Sequence, residues 1–278
     1  MHPAPITVAK VAASRRRSSS GITWIVRENE QQAVARMNFG LCRMDKGRLH
    51  LATVRDQESL WVLLQGRAQL GFGGRKVVVS RQSVFDSGPV ALNFGAGEKV
   101  EVRSLAANTE WAVMRTGNRK MHGARLYRPK EVGLENRGAG LAQGACERLV
   151  RTIYDYNTRP DSAFVIGEVV NLPGRWSSYP PHHHAQPEIY HYRFTGQAGY
   201  GHAEVGDNVY KVRAGDTTVI PGGLDHAQVS APGYGMYYLW VVRHLPGRPY
   251  KGFKVTPAYR WLLDARNQGW KPSRALFR

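Results

Sequence analysis

The stretch that most constrains this chain is Pro180-Pro181-His182-His183-His184-Ala185-Gln186-Pro187-Glu188. It sets two histidines two residues apart and a carboxylate four residues after the second. Side chains alternate faces along an extended strand, so His182 and His184 share one face and His183 points away. Glu188 has the same parity, and Tyr190, Tyr192 and Phe194 continue that inward face. Pro180 and Pro181 cannot donate ladder hydrogen bonds, which assigns them to the strand's mouth. A third histidine closes the segment Gly215-Asp216-Thr217-Thr218-Val219-Ile220-Pro221-Gly222-Gly223-Leu224-Asp225-His226. There Gly215-Asp216 reads as a turn, residues 217–220 as a short strand, and Pro221-Gly222-Gly223 as a tight turn that presents His226. Imidazole nitrogen with carboxylate oxygen suits a divalent transition metal. A lone H-x-H carries little weight without context; the second segment supplies that context. His182, His184, Glu188 and His226 are therefore the expected metal ligands of a small β-barrel. Four protein ligands leave one or two positions for substrate oxygens, with zinc, manganese and iron(II) all open. His191 has the wrong parity for a ligand, and His202 reads as a solvated residue beside Glu204.

The rest of the chain agrees with β-structure. Of its 278 residues 42% are hydrophobic, enough for real cores, and 13 Tyr, 7 Trp and 30 Gly favour strands joined by many turns. No apolar run reaches the length of a membrane span. Cys42 and Cys146 form no disulfide framework, which points to a reducing, cytoplasmic setting. The formal charge of +18 fits an acidic small molecule, a nucleic acid or an anionic surface. The basic residues are spread along the chain, Arg15-Arg16-Arg17 excepted, and no DNA-reading motif is present, so nucleic acid is disfavoured. Residues 1–20 lack the apolar core of a secretory signal and read as a disordered basic tail.

Residues 21–125 read as a first barrel. Trp61 to Gln65 is a strand ending at Gly66, and residues 68–72 and 76–79 form a hairpin across Gly73-Gly74. This half has no paired histidines: seven of the ten lie between His182 and His244. Its role is therefore expected to be structural. Residues 126–160 read as a connector that includes a possible strand from Arg148. Residues 161–245 read as the metal-binding barrel, and 246–278 as an extension with a short helix near 258–268 that packs back on the barrels.

The two metal segments together, H-x-H-x3-E and G-x5-P-x-G-x2-H, resemble the two cupin motifs. The surrounding words Gly174-Arg175-Trp176-Ser177-Ser178-Tyr179, Glu188-Ile189-Tyr190-His191-Tyr192-Arg193 and Tyr237-Tyr238-Leu239 resemble the 5-deoxy-glucuronate isomerases of inositol catabolism. That family is shared with the 4-deoxy-5-ketouronate isomerases. The resemblance runs from about Trp24 to about Leu263 and takes in Arg81-Gln82-Ser83-Val84-Phe85. It implies an all-β bicupin, two jelly-roll-like barrels in tandem, and a metal-dependent aldose–ketose isomerisation of a sugar acid. Tyr190 and Tyr238 are then candidate catalytic groups, and Trp176, Tyr192 and Arg193 candidate substrate contacts, although Arg193 has outward parity. A homo-oligomer is expected, because cupin barrels often pair through exposed strands.

The chain departs from the family in three places. Only three residues separate His184 from Glu188 where a longer acidic insert is usual, Ser230 replaces a frequent asparagine, and Trp240 stands where an asparagine is common. The short spacer and Trp240 alter the pocket rim and leave the ligands in place. Two other classes fit the same ligands: a metal cupin acting on another sugar acid or as a dioxygenase, and a non-enzymatic sugar-binding cupin.

Overall fold

A computed structural model of the chain describes residues 21–29, 33–264, 266–267 and 269–277. The basic tail of residues 1–20 lies outside them.

The first half contains β1 (Ile22–Val26), β2 (Asn38–Met44), β3 (Leu49–Leu51), β4 (Gln57–Phe72), β5 (Arg75–Arg81), β6 (Ala91–Phe94), β7 (Val100–Ser104), β8 (Thr109–Gly117) and β9 (Arg125–Tyr127). One layer runs β1-β2-β8-β4-β6-β9; β5 and β7 pair with the far end of β4, and β3 pairs with β7. Strand β4 serves both layers. Its register on β8 slips between Leu63 and Gln65, and Gly66 follows at φ +106°, where an added Cβ would lie 2.6 Å from Thr109 Oγ1. Gly66 therefore bends the strand from one layer into the other and does not end it, as the sequence suggested. The hairpin across Gly73-Gly74 is present. Both glycines have positive φ, as a type I′ turn requires.

The second half contains β10 (Glu135–Arg137), β11 (Arg148–Tyr154), β12 (Phe164–Asn171), β13 (Trp176–His183), β14 (Glu188–Phe194), β15 (Tyr200–Val205), β16 (Asn208–Arg213), β17 (Thr217–Ile220), β18 (His226–Ser230), β19 (Met236–Arg243) and β20 (Lys254–Val255). Its sheets are β10-β11-β12-β19-β14-β17 and β16-β15-β18-β13-β20. Strands β10 and β11 fall in the stretch read as a connector, yet they belong to the six-stranded sheet, with Arg148 opposite Asn171 on β12. In place of the helix expected near 258–268, a 3-10 turn covers Pro257–Leu263 and buries Leu262. No helix among the described residues is long and apolar enough to cross a membrane.

Side-chain alternation distributes the cores. On β14, Ile189 joins a cluster that spans both halves, with Phe39, Leu60 and Met114 from the first and Phe164 and Leu239 from the second. Tyr190, Tyr192 and Phe194 turn the other way, into the second barrel beside Val150, Val205 and Tyr238. The interior of the first barrel is filled by Trp61, Trp111, Leu63, Phe94 and Val102, with the two indoles 6.0 Å apart edge to face. Among the described residues its interior contains no histidine cluster.

Polar pins fasten the halves together. The Arg81 guanidinium meets the Glu168 carboxylate through two parallel bonds of 2.7 and 2.8 Å, with both side chains fully buried. Tyr237 donates a further bond of 2.8 Å to Glu168. Glu58, also fully buried, accepts from Asn93 at 2.6 Å, Ser162 at 2.5 Å and the Ala163 amide at 2.7 Å. Arg151 Nη1 also lies 3.4 Å from Glu168, but removing Arg81 takes away both short bonds and leaves the buried carboxylate poorly compensated. Arg81→Met should therefore cost about 3–5 kcal/mol in urea unfolding, and adding Glu168→Gln should return much of it. A single-variant loss below about 1 kcal/mol would show that the pair does not hold the halves together.

Candidate metal centre and active site

Strand pairing brings the two histidine segments together. His182 on β13 lies directly opposite His226 on β18. The ladder between these strands is interrupted from Ser177 to His182. Pro180 and Pro181 sit in that gap, inside β13 and not at its mouth, where their missing N–H groups cost no pairing. Glu188 opens β14 between Ile220 of β17 and Val242 of β19. The turn after His184 packs on the Pro221-Gly222-Gly223 turn: a Cβ on Gly222 would lie 2.0 Å from the Ala185 carbonyl oxygen, and the Gly223 amide donates to the His184 carbonyl at 2.7 Å. The glycine in this motif is thus needed for close approach of two backbones.

The donor atoms converge. Ligand atoms of His184, Glu188 and His226, all buried, lie within 4.8 Å of one another. Glu188 Oε2 is 3.1 Å from His184 Nε2 and 3.3 Å from His226 Nε2. The His182 ring centroid is 4.6 Å from that of His226. His182 Nδ1 lies 3.2 Å from the Pro180 carbonyl and His226 Nδ1 3.2 Å from the Leu224 carbonyl. A carbonyl only accepts, so each Nδ1 carries a proton and each Nε2 of the neutral ring presents a lone pair. His226 Nε2 is buried without a hydrogen-bond partner and faces a carboxylate. Two electron-rich atoms in that position require a cation between them or an extra proton on the ring. The converging donors, two imidazoles and one carboxylate, fit a divalent metal, and the neutral His182 ring lies beside them.

The protonation states agree. Burial, with His226 alongside, pushes the His182 pKa down to about 3. Burial alone would raise Glu188, but its contacts with His184 and His226 outweigh it and hold the carboxyl at about 2. At neutral pH His182 is neutral and Glu188 ionised, the forms that bind metal. Around the cluster, His183 meets Asp225 at 2.7 Å, and Asp225 accepts from Thr256 at 2.5 Å, which ties the C-terminal extension to the second motif.

The cluster opens into a cavity of ≈ 450 Å³. Tyr190 and Tyr238 line it, their rings stacked at 4.6 Å. Ser178 Oγ lies 3.1 Å from the Tyr190 hydroxyl and 3.3 Å from that of Tyr238, and Tyr238 donates to Ser177 at 3.0 Å. Burial raises the pKa of both phenols. Of the other sequence candidates, Tyr192 lies below the cavity and donates to Gln228 at 2.6 Å. Trp176 packs on Tyr179 at 5.3 Å, and of the two only Tyr179 lines the cavity. Arg193 points away, to Glu110 at 3.0 Å across the interface between the halves, as its parity dictates. His191 also faces the first half, 5.3 Å from Phe39. None of Trp176, Tyr192 and Arg193 reaches the cavity, so the structure does not place them as substrate contacts.

Several lining residues escaped the sequence reading. Tyr250 and Phe253 pack on His184 and His182, with ring centroids at 4.8 and 4.1 Å. They come from an aperiodic strap with no pattern to flag them. Trp240, which the sequence did place at the pocket rim, lines the cavity and fills space left by Gly167, where an added Cβ would lie 2.3 Å from the indole. Arg148 also lines the cavity. Its parity with Val150 on β11 was the one signal available.

Two antiparallel jelly-roll barrels in tandem, one carrying a His-Glu-His cluster with His182 beside it, define a bicupin. Within that class the chain belongs to the KduI/IolB family, whose model matches residues 11–262. It is 31% identical over 248 residues to the 5-deoxy-glucuronate isomerase of Geobacillus kaustophilus, a match covering 83% of this chain and 87% of the relative. The Bacillus subtilis 5-deoxy-glucuronate isomerase is 25% identical over 200 residues, covering 66% and 71%. An IolB-like protein from Salmonella typhimurium has the same fold, with TM-score 0.78 at 23% identity over 89% of this chain and 97% of that one. A Bacillus subtilis oxalate decarboxylase superposes with TM-score 0.67 at 11% identity, over 91% and 80%.

The buried neutral histidines set an acid limit. His182 and His244, the latter at about 4, resist protonation when folded but take up protons near pH 6.5 when unfolded. Stability therefore falls as pH drops below about 6.5 toward 4. Glu188 acts in the same direction at lower pH, because its depressed pKa favours the folded state only above the unfolded value. Chelator-treated protein should show a melting temperature that declines steadily from pH 7 to 5. A flat or rising trend would contradict the neutral, buried state of these rings.

Proposed function

We propose that the chain is a metal-dependent aldose–ketose isomerase that converts 5-deoxy-D-glucuronate to 5-dehydro-2-deoxy-D-gluconate in inositol catabolism. The observation that carries this is the bare His226 Nε2 facing Glu188, a carboxylate that lines a cavity together with two stacked phenols. Family membership and the relatives named 5-deoxy-glucuronate isomerase support the substrate.

His182, His184, Glu188 and His226 are the residues that would hold the metal. A divalent ion there supplies Lewis-acid polarisation of the substrate carbonyl. The chain's own groups do the rest. In the reaction a hydrogen leaves the hydroxyl-bearing carbon for the neighbouring aldehyde carbon, while one oxygen loses a proton and the other gains one. Raised phenol pKa values keep Tyr190 and Tyr238 protonated at neutral pH, so neither acts as a base; with Tyr238 donating to Ser177, Tyr190 is the phenol placed to donate to a substrate oxygen. The hydroxyls of Tyr190, Ser178, Tyr238 and Ser177 form a continuous chain that can hold a proton at Tyr190 Oη. Tyr250 and Phe253 cover the histidines and limit water at the reacting carbons.

An NMR time course of metal-loaded protein with 5-deoxy-D-glucuronate should show the C1 hemiacetal signal decay as the keto acid grows. No turnover with zinc, manganese or iron(II) contradicts the assignment. Tyr190→Phe should lower kcat by about 100-fold; a loss under about threefold would remove Tyr190 from proton handling. His184→Ala should strip most bound metal from a folded chain, whereas unchanged metal content by elemental analysis would sink the ligand set.

A further inference from the structure

Three cations line the cavity, and two of them are already engaged. Arg137 is paired with Glu135 at 2.8 Å, and the Lys251 ammonium sits 5.3 Å over the Tyr156 ring. Arg148 differs. It is half-buried on β11, and among the described residues no carboxylate pairs with it. Among the described residues its guanidinium donates one hydrogen bond, from Nη1 to the Cys146 carbonyl at 2.8 Å. The seat is tight: a Cβ on Gly138, at φ +73°, would lie 2.2 Å from the Cys146 carbonyl oxygen and 2.5 Å from Nη1, so glycine lets the backbone close on the carbonyl that holds the guanidinium. Burial disfavours its charge, and a desolvated cation without a partner is costly unless an anion completes it. The carboxylates lining the cavity are committed elsewhere. Glu188 faces the histidines, and Asp155 accepts from the Asn157 and Thr158 amides at 3.1 and 2.9 Å.

We infer that Arg148, seated on the Cys146 carbonyl through the space at Gly138, binds the carboxylate of the substrate and sets the cavity's preference for sugar acids over neutral sugars. This rests on reading the cavity as a sugar-acid site. The carbonyl contact occupies one nitrogen, and the remaining guanidinium N–H groups supply donors for a carboxylate. The end of the sugar away from the reacting carbons is thereby anchored while the aldehyde end faces the histidine cluster. Arg148 is a substrate-binding residue and takes no part in proton movement.

Calorimetric titration of the metal-loaded full chain with D-glucuronate and with D-glucose tests this without turnover. The parent should prefer the acid by about 10- to 100-fold. Arg148→Met should reduce that preference to within about threefold, and Arg148→Lys, which keeps the charge but loses the fork, should fall between. Should Arg148→Met fail to fold, Arg148→Lys decides, with a loss of at least about threefold required. A parent with no preference, including one that binds neither sugar, or variants that keep the parent's preference, overturns the inference. If the acid preference is present and depends on Arg148 but 5-deoxy-D-glucuronate is not converted, the isomerase reading fails and this one stands.

Discussion

The Arg81–Glu168 pair is the constraint around which the two barrels are arranged. Glu168 lies on β12, the strand that joins β11 to β19 in the six-stranded sheet. Its neighbour Gly167 has the opposite parity and makes room for Trp240 at the cavity. One face of β12 thus fastens the first barrel while the other shapes the pocket. A bidentate pair fixes orientation as well as distance, and Tyr237 on β19 adds a third contact to the same carboxylate. Displacing Glu168 would move β12 and β19 together, and with them Tyr238. The first barrel is in this sense a mount for the one that carries the His-Glu-His cluster.

The halves share an architecture but have filled it differently. Large side chains occupy the interior of the first, above all Trp61 and Trp111, where the second has histidines, phenols and a cavity. Burial of apolar surface stabilises the first half. The second gives up part of that burial to bring His184, Glu188 and His226 to one point, with His182 beside them. Part of the high positive charge is spent between the halves: Arg193 on Glu110 and Arg81 on Glu168.

Much of this was legible in the sequence, because strand periodicity is a two-residue rule that short segments obey. It separated His182 and His184 from His183, and Tyr190 from His191 and Arg193. What it missed lay where periodicity says nothing. Gly66 looks like a strand terminus, but only the contact with Thr109 shows that it is a bend. Tyr250 and Phe253 reach the histidines from a strap without repeating structure. Trp176 and Tyr192 have inward parity, yet a barrel interior is deeper than its cavity, and both stop short of it. Arg148 was visible only as the start of a possible strand, because its role depends on Gly138 and Cys146 folding beneath it.

The account turns on one metal centre, in the second barrel, that carries the reaction. The most direct measurement is to strip the protein with chelator and add back a divalent metal stepwise, following bound metal and isomerisation of 5-deoxy-D-glucuronate in the same samples. The account predicts no activity at zero metal, and a rise that saturates at one equivalent per chain. Activity that survives stripping, or that needs a second equivalent, would contradict it.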